Sequence, residues 1–457
     1  MDVILYFIKM NPMLPILDED KFYEEYQKAN HAAIFIPIIM SVCRAACRLL
    51  KEDDLLLKKY NLERNTLFKD INKQLELYFD LDFLEPKIET IQVLLLNSAN
   101  AVKWGIDSKD WIMTSIAVKM AQDLGLHRAN TQQEDIPKKE MEAKKRLWWS
   151  AYVIDRWVCA SLGRPLTISD ADCDVEYPDP QNTQYILFIY LIKLAYILGD
   201  TLRKLCSPRA RLMSEKGVNL ENISRNLEQM LLEWKNSLPA DLNLTAEELS
   251  QISRKDLDPG LERKLNNGAG KLYLAYCAVY LLSKRPYISM GLGNDSAVQM
   301  PSECIKCLKT SVDIFDVIDV TALLCGWSLS SYCISQTQML LLLNYKNADA
   351  NLIVESKNLA KRFRERHHEL SLFITQPSIV PFMEALANVV GSDGNNKESE
   401  ILHKQGHSSS IASTMAFQSA DKKDETAIDQ QSSLWDASNG IDWQEMIKLL
   451  AETGYQI

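Results

Sequence analysis

Proline and glycine are scarce in this chain of 457 residues, which has 15 of the former and 16 of the latter. Both residues interrupt regular structure, so their scarcity argues against the many tight turns of an all-β fold. Sustained alternation of apolar and polar residues, the pattern of half-buried strands, is also missing. The sequence therefore predicts long helices and essentially no sheet.

The sequence also lacks the short motifs that mark common catalytic sites. It has no G-x-S-x-G nucleophile elbow, no Walker loop and no G-x-G-x-x-G after a strand. Asp170, Asp172 and Asp174 have the spacing of the first ligands of an EF-hand loop. Val175 and Gln181, however, replace the glycine and the glutamate that a calcium loop requires. We therefore predict that the chain is not an enzyme.

An excess of positive charge is missing as well. The formal net charge is −10, whereas a domain that grips DNA through its phosphates is normally basic. We therefore do not expect this chain to bind DNA directly. The most apolar stretch, Tyr185 to Leu198, contains Lys193 and is too short to span a bilayer, so we expect no membrane partner.

Ten cysteines are scattered through apolar segments, where a reduced thiol behaves as a small hydrophobic side chain. Cys304 and Cys307 form a C-x-x-C pair, but a structural zinc would need four converging ligands. We interpret this pair as buried cysteines of one helix, and we expect no metal or cofactor in this chain.

Helical periodicity continues to about residue 390. Two helices are predicted from Lys109 to Leu124 and from Lys138 to Leu162, each followed by a glycine that suits a helix stop. Further helices are predicted at 185–206, 220–236, 269–284, 303–319, 328–345, 352–371 and 378–390, with polar connections at 174–184, 207–218 and 239–266. The predicted fold is all-α, with one large multi-helix domain over residues 1–390.

The C-terminal part of the chain differs in composition. Residues 391–426 are polar and lack apolar periodicity, which predicts a disordered linker. Residues 427–457 combine acids with Trp435, Trp443, Leu449 and Leu450. This pattern is typical of an activation segment that binds a coactivator groove, and a terminal helix packed on the domain is an equal alternative.

A series of short motifs lies between residues 117 and 178. A helical pattern ends in L-G-L-H-R, a second helix carries K-R-L-W-W and then Asp-Arg, a G-R-P stop follows, and an acidic loop ends in proline. The positions are Leu124, Gly125, Leu126, His127 and Arg128; Arg146, Trp148 and Trp149; Asp155 and Arg156; Gly163, Arg164 and Pro165; and Asp172, Asp174 and Pro178.

In order and spacing these motifs resemble the fungal-specific transcription factor domain, also called the xylanolytic-activator regulatory domain. Lys145 replaces the first arginine of the usual R-R-L-W-W and keeps its charge. The stretch NPMLPILDEDKFYEEY resembles the usual opening of that domain. The resemblance covers about residues 10–390 and is sharp at 117–178.

The resemblance implies the regulatory domain of a nuclear protein that controls RNA polymerase II transcription. In that family DNA is bound by a separate zinc cluster with six cysteines, and its paired C-x-x-C halves are not found in this sequence. Zinc would therefore belong to that missing cluster, and DNA would be reached only through it or through a DNA-binding partner. Coactivators, a small-molecule effector and a second copy of the chain are the other partners that we consider.

The motif residues also have a structural interpretation, which we favour over an effector pocket. Adjacent tryptophans on a helix point about 100° apart, so one faces the core while the other packs on a neighbouring helix. Gly163 and Pro165 end the helix, and ion pairs of Asp155, Arg156 and Arg164 are expected to hold the acidic loop.

Two alternatives to a transcriptional role remain at this point. One is an effector-binding helical protein, and the other is a helical enzyme, which would need facing aspartate clusters that the sequence lacks. Two basic clusters at 137–149 and 361–368 suit nuclear import or nucleic-acid binding, but opposite charges at close spacing favour ordinary solvated helix faces.

Overall fold

The computed structural model describes residues 3–28, 36–51, 53–79, 85–100, 107–129, 136–216, 220–290, 298–347, 349–371, 435–436 and 440–441. The predicted helix at 378–390, the predicted linker at 391–426, and the side chains of Trp435, Trp443, Leu449 and Leu450 lie outside these residues. The domain boundaries that we predict at residues 390 and 426 therefore stay predictions.

The described part of the chain is all-α, as predicted. The helices of its first half are α1 (Val3–Lys9), α2 (Glu19–Lys28), α3 (Ile36–Cys47), α4 (Leu55–Tyr60), α5 (Arg64–Glu76), α6 (Ile88–Ala99), α7 (Ser108–Asp123), α8 (Lys138–Leu162), α9 (Ile186–Lys204) and α10 (Pro208–Glu215). Then come α11 (Glu221–Asn236), α12 (Ala246–Arg254), α13 (Pro259–Lys264), α14 (Gly270–Ser283), α15 (Ser302–Val317), α16 (Val320–Leu324), α17 (Trp327–Leu343) and α18 (Ala350–Ser371).

Extended structure is confined to two small antiparallel pairs in the described residues. Strand β1 (Ser289–Met290) pairs with β2 (Val298–Gln299), and β3 (Trp435–Asp436) pairs with β4 (Gly440–Ile441). The backbone of β4 lies beside α8. The expectation of essentially no sheet holds apart from these two-residue strands.

Helix α8 lies at the centre of the fold. Every residue from Arg146 to Ala160 is buried, and the helix packs against α6, α7, α9 and α17. Residues of the same hydrophobic core run from Tyr6 in α1 to Leu370 in α18. A helix that is enclosed on all sides can carry charged residues only where they are paired inside the protein.

Two segments that we predicted as connections contain helices. Helices α10, α12 and α13 occupy parts of 207–218 and 239–266. The start of α12 carries a capping box in which Thr245 and Glu248 satisfy each other's backbone N–H groups. The T-x-x-E spacing was present in the sequence, but the helix is only nine residues long and only Ile252 of it is buried, so the sequence alone predicts a polar connection there.

The argument from length against a membrane span was wrong. Among the described residues, Thr183–Lys204 is long and apolar enough by composition to cross a bilayer. In the structure, 67% of its most apolar window is buried inside the protein, where α9 packs against α8, α11 and α14. A helix buried to this extent is a core helix of the folded domain.

Candidate functional site

The family-like motifs converge around the middle of α8, where a carboxylate and a guanidinium are completely enclosed. Asp155 and Arg156 are both 0% exposed. Arg156 Nη1 donates to Asp155 Oδ2 at 2.8 Å, which is the ion pair that we expected. Asp155 also accepts hydrogen bonds from the backbone amides of Thr167 at 3.1 Å and Ile168 at 3.4 Å. The Asp155 carboxylate therefore holds the chain that follows the G-R-P stop.

Arg156 extends this network to the acidic loop, residues 168–178. Its Nη2 donates to Asp170 Oδ1 at 2.9 Å, and its guanidinium lies over the Tyr152 ring, 3.8 Å from the centroid. Tyr152 donates its hydroxyl to the same Asp170 oxygen at 2.6 Å. Arg203 on α9 adds a further ion pair to Asp170. We call Tyr152, Asp155, Arg156, Asp170 and Arg203 the loop clamp.

The electrostatics of the loop clamp favour its charged form. Burial alone would lower the pKa of Arg156, but Tyr152, Asp155 and Asp170 outweigh it and raise that pKa. Burial also raises the pKa of the Tyr152 hydroxyl far above its usual range, so that this group stays a donor. A buried ion pair stabilises only when its remaining hydrogen-bond capacity is satisfied, and the two backbone amides and Tyr152 supply most of that capacity here.

Close approach of α9 to α8 completes the site. A Cβ on Gly199 would lie 3.2 Å from Arg156 Nε and 3.6 Å from Arg156 Cγ. Glycine at this position of α9 therefore leaves room for the Arg156 side chain. Sequence reasoning missed Gly199 and Arg203, because nothing in the local pattern of α9 shows that it lies against the charged turn of α8.

The acidic loop is joined on its other side to the L-G-L-H-R motif. The Asp174 amide donates to His127 O at 3.2 Å, and the Ala129 amide donates to Asp174 Oδ1 at 2.6 Å. Gly125 has a φ of +71°, the left-handed conformation that the predicted helix stop requires. Leu126 is buried, whereas Leu124 is 40% exposed and Arg128 is exposed. The motif thus ends α7 and then holds the acidic loop.

His127 contributes a neutral ring to this junction. Its ring lies 5.7 Å from that of Trp148, measured between centroids. Burial first, and then the charge of Arg128, lower the pKa of His127. The carboxylates of Asp174 and Asp172 act on this pKa in the opposite direction but do not outweigh burial. A neutral imidazole next to a buried indole has a packing role.

The two tryptophans of α8 behave differently. Trp148 is fully buried, while Trp149 is 9% exposed and donates its Nε1 proton to Glu176 O at 2.9 Å. Its ring stacks on Tyr177 at 4.9 Å. We expected one tryptophan to face the core and the other to pack on a neighbouring helix; Trp149 makes its hydrogen bond and its stacking contact with the acidic loop. Trp149 packs on the acidic loop, which covers this face of α8 and ends at the buried Pro178.

Arg164 also departs from expectation. Gly163 takes the left-handed conformation with a φ of +61°, as predicted, but Arg164 is exposed and makes no ion pair within the described residues. Its guanidinium lies 5.8 Å from the Trp111 ring centroid. The Asp155 carboxylate is instead occupied by Arg156 and by two backbone amides. The carbonyl oxygen of Pro165 accepts a hydrogen bond from the Cys159 thiol at 3.2 Å. Asp172, in the acidic loop, is exposed.

Most of the basic side chains in the first cluster, and Arg362 in the second, are paired with carboxylates. Arg146 Nη2 donates to Asp18 at 2.8 Å, and Arg362 bridges Asp313 and Asp316 at 2.7 Å each. In the first cluster Lys138, Lys139, Lys144 and Lys145 pair with Asp179, Asp20, Glu140 and Glu142, respectively. These pairs favour the interpretation of the clusters as solvated helix faces. They argue against patches of free positive charge that would bind nucleic acid.

A groove of about 330 Å³ lies near the start of α8. Its apolar lining includes Phe22, Ile38, Ile88 and Leu147, and charged residues of α2 and α8 surround it. We considered an effector pocket near Trp148 or Trp149, but neither tryptophan lines this groove. The part of the chain that the structure describes holds no cluster of three or more His, Cys, Asp or Glu side chains placed to bind a metal.

Comparison with known proteins assigns the region around this site to a family. A model described as "Fungal specific transcription factor domain" matches residues 3–236, which include the loop clamp. No solved structure matches the chain.

Curated relatives are fungal regulators. A transcriptional regulatory protein of Schizosaccharomyces pombe, itself uncharacterised, is 24% identical over 55% of this chain and 42% of its own length. Cutinase transcription factor 1 alpha of Fusarium vanettenii is 22% identical over 51% of this chain and 27% of its own length. An ABC-transporter-regulating transcription factor of Aspergillus oryzae is 30% identical over 29% of this chain and 16% of its own length.

The alignments thus span less than half the length of each of these relatives. The family model, by contrast, covers half of this chain, and its match includes the motifs that converge on α8. The chain belongs to the fungal specific transcription factor domain family.

Proposed function

We propose that this chain acts as the regulatory domain of a nuclear transcription factor that controls RNA polymerase II transcription. Membership in the family carries this proposal, because the match includes the whole loop clamp. Relatives named as transcriptional regulators support it. Fluorescence microscopy of the tagged gene product in its own cells tests the location, and exclusion from the nucleus would contradict it.

In this proposal the chain does not read DNA itself. Its net charge of −10 opposes contact with phosphates, and much of its clustered basic charge is paired with carboxylates. DNA contact would come from a zinc cluster, which holds the zinc of the regulator, or from a DNA-binding partner. The chain would contribute regulation, not catalysis, since the charged groups of the loop clamp are paired with one another.

We propose in addition that the acidic–aromatic segment at the C-terminus activates transcription. Seven acids accompany one lysine between Asp424 and Ile457, and they keep Trp435, Trp443, Leu449 and Leu450 in water until a coactivator groove binds them. The alternative is a terminal helix packed on the domain, which would leave these residues buried.

A fusion of residues 424–457 to a foreign DNA-binding domain tests activation directly. We expect reporter transcription above that of the DNA-binding domain alone, and a clear loss when Trp443 and Leu449 are both changed to alanine. A matched variant with Gln430→Ala and Gln431→Ala keeps the acids and the apolar residues and should retain activity. A silent wild-type fusion, expressed at a normal level, would end the activation proposal.

A small-molecule effector and a homodimer are separate proposals about partners. The groove that Phe22 and Leu147 line is where we would look for an effector first, because ligand sites are apolar clefts of a few hundred Å³. Light scattering of the purified chain measures its mass in solution, and a single monomer mass at all concentrations would contradict the homodimer.

A further inference from the structure

Ser169 lies between two residues of the acidic loop that are bonded to α8. The Ile168 amide before it donates to Asp155, and Asp170 after it accepts from Arg156. Ser169 itself is exposed, and it makes no side-chain cap hydrogen bond to the short 3₁₀ turn that begins at Asp170. Because a serine side chain has few atoms, an exposed serine without such a bond presents its hydroxyl to solvent.

A run of carboxylates follows this serine along the acidic loop. Acids stand one, three, five and seven positions after it, at Asp170, Asp172, Asp174 and Glu176. The last three are exposed. Protein kinases discriminate between substrates partly by the pattern of charge around the acceptor residue. A serine followed by exposed acids suits a kinase whose cleft carries positive charge.

Other hydroxyl residues with an acid three positions later lack this combination of features. Ser253 is exposed, but two basic residues follow it directly. The Thr245 hydroxyl is occupied by the capping box of α12. Thr167 is half-buried, and its Oγ1 lies 3.2 Å from Ser115 Oγ. Ser169 is therefore the better acceptor on the described surface.

We propose that Ser169 is a phosphorylation site for an acid-directed serine kinase, and that its phosphate loosens the loop clamp. ATP supplies the phosphoryl group. A bond forms between Ser169 Oγ and the γ-phosphorus, while the bond from that phosphorus to the β–γ bridging oxygen breaks and ADP leaves. The hydroxyl proton passes to the catalytic base of the kinase.

The phosphate acts on the loop clamp through its charge. It carries about −1.5 to −2 charges at neutral pH, on the residue next to Asp170. Of the two arginines that pair with Asp170, Arg156 has no exposed surface, whereas the Arg203 side chain is 36% exposed. Arg203 is therefore the clamp cation that can turn from Asp170 to the phosphate. Its departure frees the acidic loop from α9, while Arg156 still holds the loop on α8.

Phosphorylation of the folded full chain tests the site. The chain is incubated with ATP and casein kinase II, an acid-directed serine kinase, and the phosphate is located by mass spectrometry of its peptides. We expect the phosphate at Ser169, its loss in Ser169→Ala, and no change at Ser169 in the matched control Ser253→Ala. Asp172→Asn should slow the reaction about tenfold, because the kinase loses a charge contact.

Hydrogen exchange of the phosphorylated chain tests the effect on the loop clamp. We expect faster exchange at residues 168–178 and unchanged exchange in the middle of α8, with no difference after the same treatment of Ser169→Ala. A phosphate that maps elsewhere, or that reaches Ser169 only after the chain is unfolded in urea, would overturn the site. Unchanged exchange in a chain that carries the phosphate at Ser169 would overturn the loosening of the clamp.

Discussion

Asp155 and Arg156 are adjacent residues of one helix turn and have no exposed surface. Their charges are tolerated there only because the neighbouring groups supply hydrogen bonds and counter-charge. Removal of one partner from such a group leaves an uncompensated charge in the interior, which is far more damaging than replacement of the whole group by apolar residues. The loop clamp is therefore expected to be sensitive to conservative changes that preserve shape and alter charge.

Asp155→Asn keeps the size of the side chain and removes its charge. We expect it to lower the free energy of unfolding by about 3–5 kcal/mol, because Arg156 then keeps only Asp170 as a nearby counter-charge. Urea denaturation of the purified chain measures this difference. The matched control is Asp172→Asn in the exposed part of the acidic loop, which should change stability by less than about 0.5 kcal/mol. Equal effects of the two variants would contradict the loop clamp.

Lys271 on α14 is a buried cation outside the clamp. It is 5% exposed and its ammonium donates to Cys325 O. Burial lowers its pKa from 10.5 to about 8. Between these two values the unfolded chain binds more protons at this residue than the folded chain, so stability contributed by Lys271 rises with pH.

A comparison with Lys271→Met isolates this effect from the other titrating groups. Between pH 7 and pH 10.5 the free energy of unfolding should shift in favour of the wild type, relative to the variant, by about 3 kcal/mol. Urea denaturation at several pH values measures the shift. Lys119→Met, at an exposed position of α7, is the control and should show no such dependence. If the difference in free energy of unfolding between the wild type and Lys271→Met does not change with pH, burial does not lower the pKa of Lys271 and the prediction is wrong.

Single residues divide clearly into those that the sequence can reveal and those that it cannot. Gly125 and Gly163 were predictable because a helix stop requires a left-handed residue, and both have a positive φ. Gly199 was not, because its role depends on the distance of its Cα from Arg156. Arg164 was assigned to an ion pair because charge alone does not show which of several nearby cations a carboxylate will bind.

Secondary-structure elements follow the same division. Helix α8 was predicted with its observed bounds, Lys138–Leu162, because its periodicity is long and a glycine ends it. Helices α12 and α13 were missed, since they are short and bury little. The acidic loop was recognised by composition, but its attachment on two sides, to α8 and to the end of α7, depends on packing that no local pattern shows.

The attachment of the acidic loop can be loosened without unfolding the protein. Asp174→Ala removes the acceptor of the Ala129 amide, a bond of 2.6 Å at an exposed position. We expect faster hydrogen exchange at residues 125–129 and 170–178, with exchange in the middle of α8 unchanged, because one exposed hydrogen bond contributes only about 1 kcal/mol. Asp172→Ala serves as control. Faster exchange throughout α8 would show that the loop and the core open together.

For the whole molecule, the hydrophobic core does not end where the family match ends. The match stops at residue 236, yet α14 packs against α9, and α17 packs against α8. The helices beyond residue 236 therefore cover faces of α8 and α9 that would otherwise be exposed. Regulation by this chain is expected to require the helices on both sides of that limit.

Reporter transcription by the tethered chain is the most direct test of a regulatory role. The full chain is fused to a foreign DNA-binding domain and compared with that domain alone and with the Asp155→Asn fusion at matched protein levels. The proposed function predicts that the wild-type chain changes transcription, and that loss of the loop clamp alters the size of this change. Transcription equal to that of the DNA-binding domain alone, from a folded and nuclear fusion, would contradict it.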